Sequence, residues 1–275
     1  STNEDVATVT TDANGNYTIP NVPTFVSYIL RVSKQDYTFA PRERIYFNVS
    51  TAQAGDFTGT LQVQPSEFDG DGATDLAVWR PATGDWHVLR SGDNTYTGLR
   101  FGAASFGDIA VPGNFDGDRK TDYAVFRPSN GTWYVRQSSN AEVRAVQFGA
   151  ADDKPSPGDF DGDGKTDLAV FRPSSGYWYI LRSSDGGLTA VQWGGSGDLA
   201  VAGDYDGDGL ADIGVFRPAS GTWYVRQSTN GSLKAFQFGA DGDVPAVGDF
   251  DGDKRTDFTV FRPSSGTWYV WQSAA

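Results

Sequence analysis

The chain contains no cysteine and no methionine, and one histidine, His87, among its 275 residues. Without cysteine there are no disulfides, no zinc thiolates and no thiol nucleophiles. Without methionine there is no initiator, which points to a processed chain or an excised piece. No apolar run approaches the roughly 18–20 residues that a membrane-spanning helix needs, and the opening Ser-Thr-Asn-Glu-Asp does not read as a signal peptide. The lone histidine restricts any Ser-His-Asp triad to one site. Positive charge is scarce as well. The net charge of −13 excludes a phosphate-binding face of the kind nucleic acid requires.

What the chain has instead is glycine (34), proline (13) and 14% aromatic residues, a composition suited to many short strands joined by tight turns. It also has a repeat, whose clearest copy begins Asp159-Phe-Asp-Gly-Asp-Gly-Lys-Thr-Asp167. The central aspartate recurs at Asp69, Asp116, Asp161, Asp206 and Asp251, and a tryptophan recurs at Trp86, Trp133, Trp178, Trp223 and Trp268. Both series step by 47, 45, 45 and 45 residues. In the third copy the pattern predicts strands over 157–160, 168–172, 177–182 and 188–193, with Pro173-Ser-Ser-Gly176 as a hairpin turn. Four strands in about 45 residues is the length of a propeller blade.

The predicted fold class is therefore all-β: a five-bladed β-propeller over residues 61–275, with blades near 61–102, 108–149, 155–194, 199–239 and 244–272. The fifth copy stops after its third strand. Its outer strand is expected from Gly55-Asp-Phe-Thr-Gly59, closing the ring, or from another subunit.

Each repeat opens with a loop carrying oxygen-bearing side chains at its first, third, fifth and ninth positions. These are Glu67, Asp69, Asp71 and Asp75; Asn114, Asp116, Asp118 and Asp122; Asp159, Asp161, Asp163 and Asp167; Asp204, Asp206, Asp208 and Asp212; and Asp249, Asp251, Asp253 and Asp257. Hard oxygen ligands in that number suit Ca²⁺, which takes about 6–8 of them. A backbone carbonyl at the seventh position (Ala73, Lys120, Lys165, Leu210 or Arg255) would add another. An EF-hand requires a glutamate at the twelfth position. Here that position is Val78, Val125, Val170, Val215 or Val260, each in an alternating strand pattern, so EF-hands are rejected. Charge supports the metal. The loops hold 19 of the 35 acidic residues, and the remaining 16 acids face 22 Lys and Arg, so the rest of the chain is +6. Up to five Ca²⁺ would bring −13 to −3. The plainer alternative is a set of Asp-Gly turns, but two carboxylates ~4 Å apart repel by roughly 4 kcal/mol at an effective dielectric near 20. Arg119 and Lys254 replace the glycine that eases the turn at the sixth position of the second and fifth loops.

These loops resemble the FG-GAP (VCBS-type) repeats of integrin-α-like β-propellers, whose calcium loop reads D-x-D-x-D-G-x-x-D. The third and fourth copies match it in full. The resemblance implies calcium at these hairpins and roles in adhesion or recognition at cell surfaces. Its best-known members have seven blades, so five copies is a departure. Residues 1–60 are of another kind. Thr11 to Pro20, Tyr28 to Lys34 and Asp56 to Gly59 resemble the later part of a carboxypeptidase-regulatory-like (transthyretin-like, immunoglobulin-type) β-sandwich, incomplete here, with Tyr28, Leu30 and Val32 on a half-buried face. Upstream sequence or a strand from another chain would complete it.

His87 takes the place of Tyr134, Tyr179, Tyr224 and Tyr269 in the other copies, so it reads as an aromatic strand position and not as a catalytic base. Arg80, Arg127, Arg172, Arg217 and Arg262 each precede a proline at a strand end; they brace blades, pair with loop aspartates or bind a ligand. The five tryptophans read as inter-blade packing ahead of sugar stacking. No acid cluster stands outside the metal loops, which argues against an enzyme. The sequence thus describes an extracellular, bacterial, secreted, non-enzymatic subunit, structural or adhesive and stabilised by calcium. Its expected partners are other copies, joined head to tail into filaments by strand donation, or a surface protein or glycan. A lectin-like binding module is the alternative; nucleic acid and a membrane span are not expected.

Overall fold

The computed structural model describes residues 7–12, 16–32, 37–40, 43–61 and 66–273. It divides into two compact units, one built from residues 1–33 and 39–58 and the other from 34–38 and 59–275.

In the first unit, β1 (Val26–Arg31) runs antiparallel to β3 (Glu43–Val49), pairing Tyr28 with Tyr46 and Leu30 with Arg44. Between them in sequence lies β2 (Tyr37–Ala40), which lies beside β4 (Thr58–Leu61) in a second two-stranded sheet. Tyr28, Leu30 and Val32 are half-buried, as their alternation predicts, whereas Ile29, Ile45 and Phe47 are exposed. Tyr46 Oη donates to the Ala54 carbonyl (2.9 Å), and the Arg44 guanidinium donates to the Asp56 carbonyl. The described residues stop short of the two-sheet sandwich expected here. Of the stretch expected to close the propeller, Thr58 and Gly59 begin β4, which pairs with β2.

The second unit is a five-bladed β-propeller. Blade one holds β5 (Leu76–Arg80), β6 (Asp85–Leu89) and β7 (Tyr96–Arg100). Blade two holds β8 (Ile109–Ala110), β9 (Tyr123–Arg127), β10 (Thr132–Arg136) and β11 (Val143–Gln147). Blade three holds β12 (Lys154–Pro155), β13 (Leu168–Arg172), β14 (Tyr177–Leu181) and β15 (Leu188–Gln192). Blade four holds β16 (Leu199–Ala200), β17 (Ile213–Arg217), β18 (Thr222–Arg226) and β19 (Leu233–Gln237). Blade five holds β20 (Val244–Ala246), β21 (Phe258–Arg262) and β22 (Thr267–Trp271). Every sheet is an antiparallel meander, which the two-residue period and the short turns require. The innermost strand of blade three is Lys154–Pro155, earlier than the sequence suggests. Residues 158–160 instead serve the acidic loop: Asp167 N donates to Gly158 O, and Phe160 N to the Asp167 carboxylate.

The core is a series of interfaces between successive blades. Trp86 and Val88 pack with Val125, Trp133 with Val170, Trp178 with Val215, and Trp223 with Val260. The four tryptophans are buried, and each donates its indole N–H to a carbonyl fifteen residues on (Phe101, Phe148, Trp193 or Phe238) at 2.8–3.1 Å. They form the packed walls between blades, so their faces are not available to stack on a sugar.

Candidate metal centre

Each acidic loop joins the first strand position of a blade to its second strand and folds around its own carboxylates. The first-position side chain turns inward to accept backbone N–H groups. Asp159 takes those of Gly162 (2.6 Å) and Gly164 (2.9 Å), Asp249 those of Gly252 and Lys254 (both 2.7 Å), and Asp204 those of Gly207 and Gly209. Glu67, one methylene longer, reaches the N–H groups of Asp69, Gly70 and Gly72. The third-position aspartate accepts from the fifth N–H, and the fifth from the seventh, at 2.8 Å in every loop. The ninth closes the loop with both oxygens. In the third copy, Asp167 accepts from Phe160 N (2.9 Å) and Ser183 N (2.7 Å).

A serine missed in the sequence completes the loop. Ser91, Ser138, Ser183, Ser228 and Ser273 follow the third strand of each blade, and each donates its hydroxyl to the fifth-position aspartate at about 2.8–3.1 Å. A second hydroxyl, on Ser139, Ser184 or Thr229, donates to the third-position aspartate at 2.6–2.7 Å. The signal was present: these serines step by the same 47, 45, 45 and 45 residues as the aspartates.

Four loops bring three carboxylates together, with one oxygen from each within 4.8 Å of the others: Glu67, Asp69 and Asp71; Asp159, Asp161 and Asp167; Asp204, Asp206 and Asp212; Asp249, Asp251 and Asp257. The expected ligands Asp75, Asp163, Asp208 and Asp253 fall outside these clusters. Asp75 accepts from Phe68 N and Ser91 N, and the other three from the serine hydroxyl and the seventh N–H, bonds that Asp167 and Asp71 also make inside their own clusters. The second loop forms no such cluster. Asn114, buried, gives its side-chain amide to the Gly164 carbonyl (3.2 Å), while its Oδ1 accepts from Gly117 N (2.8 Å) as Asp159 accepts from Gly162, so the second loop offers one carboxylate fewer at its first position.

The electrostatics fit a cation. Burial pushes Asp159 and Asp204 up to about 7 and Asp212 up to about 6, against the partial relief of backbone N–H bonds, and neighbouring carboxylates push further the same way. Glu67, Asp122 and Asp167 are raised for the same first reason. No salt bridge neutralises Asp159, Asp161, Asp167, Asp204, Asp206 or Asp212 among the described residues. Converging hard oxygens that resist ionisation without a counter-charge are the donor set a divalent cation satisfies.

The repeated arginines do not pair with the loop aspartates. Arg127, Arg172, Arg217 and Arg262 instead hold Asp108, Asp153, Asp198 and Asp243 at 2.7–2.8 Å, while each guanidinium lies 4.6–4.7 Å from the ring centre of Tyr134, Tyr179, Tyr224 or Tyr269. His87, at the tyrosine position of blade one, meets Tyr96 Oη through Nδ1 at 2.5 Å. A shallow cleft of about 190 Å³ lies between blades three and four, lined by Trp193, Gly194, Val215, Arg217, Tyr224 and Leu233. Among the described residues no helix is long and apolar enough to cross a membrane.

No curated protein matches the chain in sequence. Similar solved structures include a catalytically inactive virginiamycin B lyase from Staphylococcus aureus with quinupristin, at 8% identity and a TM-score of 0.48, covering 90% of this chain and 73% of that one. TolB from Acinetobacter baumannii is similar at 17% identity and 0.46, covering 72% and 52%. So is an Agrocybe aegerita lectin that recognises non-reducing terminal N-acetylglucosamine, at 16% and 0.45, covering 78% and 71%. The model of the FG-GAP-like repeat matches residues 114–170 and 159–215, so blades two and three, with the opening of blade four, are FG-GAP-like repeats.

Proposed function

We propose that this chain is a non-enzymatic, calcium-stabilised propeller that serves outside a bacterial cell as a structural or adhesive subunit. The observation that carries the reading is the convergence of three carboxylates in four of five loops, without a salt bridge in the third and fourth. Calcium there would be held by the first-, third- and ninth-position carboxylates, or by Glu67, Asp69 and Asp71 in the first loop. It would tie each loop to the blade it opens. Extracellular modules bind calcium with Kd of roughly 10⁻⁴–10⁻³ M. At about millimolar calcium each site then contributes ~0.4–1.4 kcal/mol, a stabilisation present in an extracellular medium and lost where calcium is scarce. Partners would be other copies of the chain, or a surface protein or glycan. Strand donation has a place to act, since among the described residues β22 is an edge strand, hydrogen-bonded to β21 alone in its sheet.

The test is thermal unfolding in millimolar calcium and in chelator, for the wild type and for the D161N/D206N double variant. The expected result is a calcium-dependent rise in Tm that the double variant, which removes two of the four carboxylate clusters, clearly reduces. Equal melting in both media would overturn the calcium reading.

A lectin-like module is the second reading. The Trp193 cleft supports it, because blade three places tryptophan where blades one, two and four have Phe101, Phe148 and Phe238. Glycan binding that W193A abolishes would favour it; an empty glycan array would remove it.

A further inference from the structure

Each internal interface has two unlike halves. The preceding blade offers a tryptophan wall, such as Trp133 with Phe126 and Val135, and the following blade offers the central valine of its second strand, here Val170. The same pairing occurs four times, and Val125, Val170, Val215 and Val260 are each no more than 1% exposed. Backbone contacts repeat with it. The eighth loop residue of the following blade donates its N–H to the first loop residue of the preceding one: Thr121 to Glu67, Thr166 to Asn114, Ala211 to Asp159 and Thr256 to Asp204.

A fifth interface, of blade five on blade one, is not made among the described residues. On blade one the valine half lies open, with Val78 63% exposed and Leu76 73%. On blade five the tryptophan half lies open, with Trp268 58% exposed and Phe250 53%. Thr74 and Asp249, which would make the fifth backbone contact, are exposed and make none with each other.

We infer that blade five of one copy receives blade one of a second copy, the Trp268 face closing over the Val78 face as each blade closes over the next within the chain. The occupant is another copy because the open surfaces are the two complementary halves of an interface that this sequence builds four times. The contact is heterologous and leaves one open half at each end, so copies add head to tail. Exposed apolar patches of this kind are rare on monomers. The contact is read by sedimentation and the calcium reading by thermal unfolding, so the failure of one and the failure of the other are told apart by separate measurements.

The test is analytical ultracentrifugation of the full chain as wild type, W268D and V78D. The wild type should show concentration-dependent oligomers. Each variant keeps one sound face and should remain monomeric alone, while an equimolar mixture of the two should give a heterodimer and nothing larger. That heterodimer also shows that both variants fold. A monomeric wild type overturns the inference, and if its Trp268 is also shielded from a fluorescence quencher, blade five has closed on blade one of the same chain. Variants that assemble as the wild type does overturn it equally.

Discussion

Asp153 and Arg172 form a two-pronged ion pair, Nε to Oδ1 at 2.7 Å and Nη2 to Oδ2 at 2.9 Å, across the turn that leads into blade three. The carboxylate is buried and also accepts the N–H of Ala150 (2.8 Å), at the end of blade two. One aspartate thereby fixes the connection between two blades to the second strand of the later one. The arginine rests on Tyr179 and is held charged by the carboxylate, its pKa raised. The same arrangement recurs at Asp108, Asp198 and Asp243, and it gives the repeated arginine a bracing role that the loop aspartates never share.

Replacing that carboxylate should therefore loosen the junction. Hydrogen bonds to charged groups contribute about 1.5–3 kcal/mol, so D153N should lower the unfolding free energy by about 2 kcal/mol in urea titration. Arg80 makes no such pair among the described residues, and R80A should stay within about 0.5 kcal/mol of wild type. Equal losses in D153N and R80A would contradict the bracing role.

The metal-free loops should make stability fall as pH rises. Asp159 and Asp204 sit near 7 in the folded chain because burial disfavours their charge, against the ordinary 3.8. The folded state then binds more protons than the unfolded one between those values. Their contribution is complete below about 4 and gone above about 7. In chelator, Tm should thus drop as pH rises from about 4 to about 7, and the D159N/D204N variant should flatten the drop. Millimolar calcium should do the same, since it supplies the missing positive charge. A chelated Tm that rises across that window in the wild type would refute the burial argument.

Much of the fold was legible because two markers kept phase. The aspartates and tryptophans share a spacing, and the alternation from Leu168 to Arg172 has no reading other than a strand. The centre of each blade followed directly. The inner strands did not, because Pro157 to Phe160 looks like a strand in isolation, and its backbone groups are claimed by an aspartate seven residues on. The candidate site was legible as a set of residues but not as a division of labour. Nothing in the pattern D-x-D-x-D-G-x-x-D says that the fifth carboxylate is taken by a serine twenty residues away. Nor does it reveal that Asn114 faces the next blade's Gly164 carbonyl. Both depend on contacts between segments that local periodicity does not encode.

The sixth loop position shows what that pattern leaves behind. Gly164 and Gly209 take φ of 81° and 96° there, and Arg119 and Lys254 are forced to similar values of 76° and 69°. A side chain in the left-handed region costs roughly 1–2 kcal/mol, while glycine adopts it freely at some entropic cost in the unfolded chain. Arg119 is exposed, so R119G should raise stability by about 1 kcal/mol with little else lost. Differential scanning calorimetry would register the gain as a higher Tm, and an unchanged or lower Tm would count against strain at this residue.

The count of bound ions separates the loops from one another. Only four of them assemble three carboxylates among the described residues, and in the second the neutral Asn114, bonded to Gly164, stands where the other loops have a first-position carboxylate. Equilibrium dialysis with labelled calcium should then reach four ions per chain, one fewer than the repeats alone suggest. D161N should reduce that to three, and D116N should leave it unchanged. S183A tests the supporting hydroxyl: without its 2.8 Å bond Asp163 is free to turn, while the backbone bond from Ser183 N to Asp167 stays in place. Calcium affinity at that site should fall severalfold while the stoichiometry stays at four. Five ions on the wild type would show that Asn114 serves as a ligand, and a D116N chain reduced by one would locate the fifth ion in the second loop.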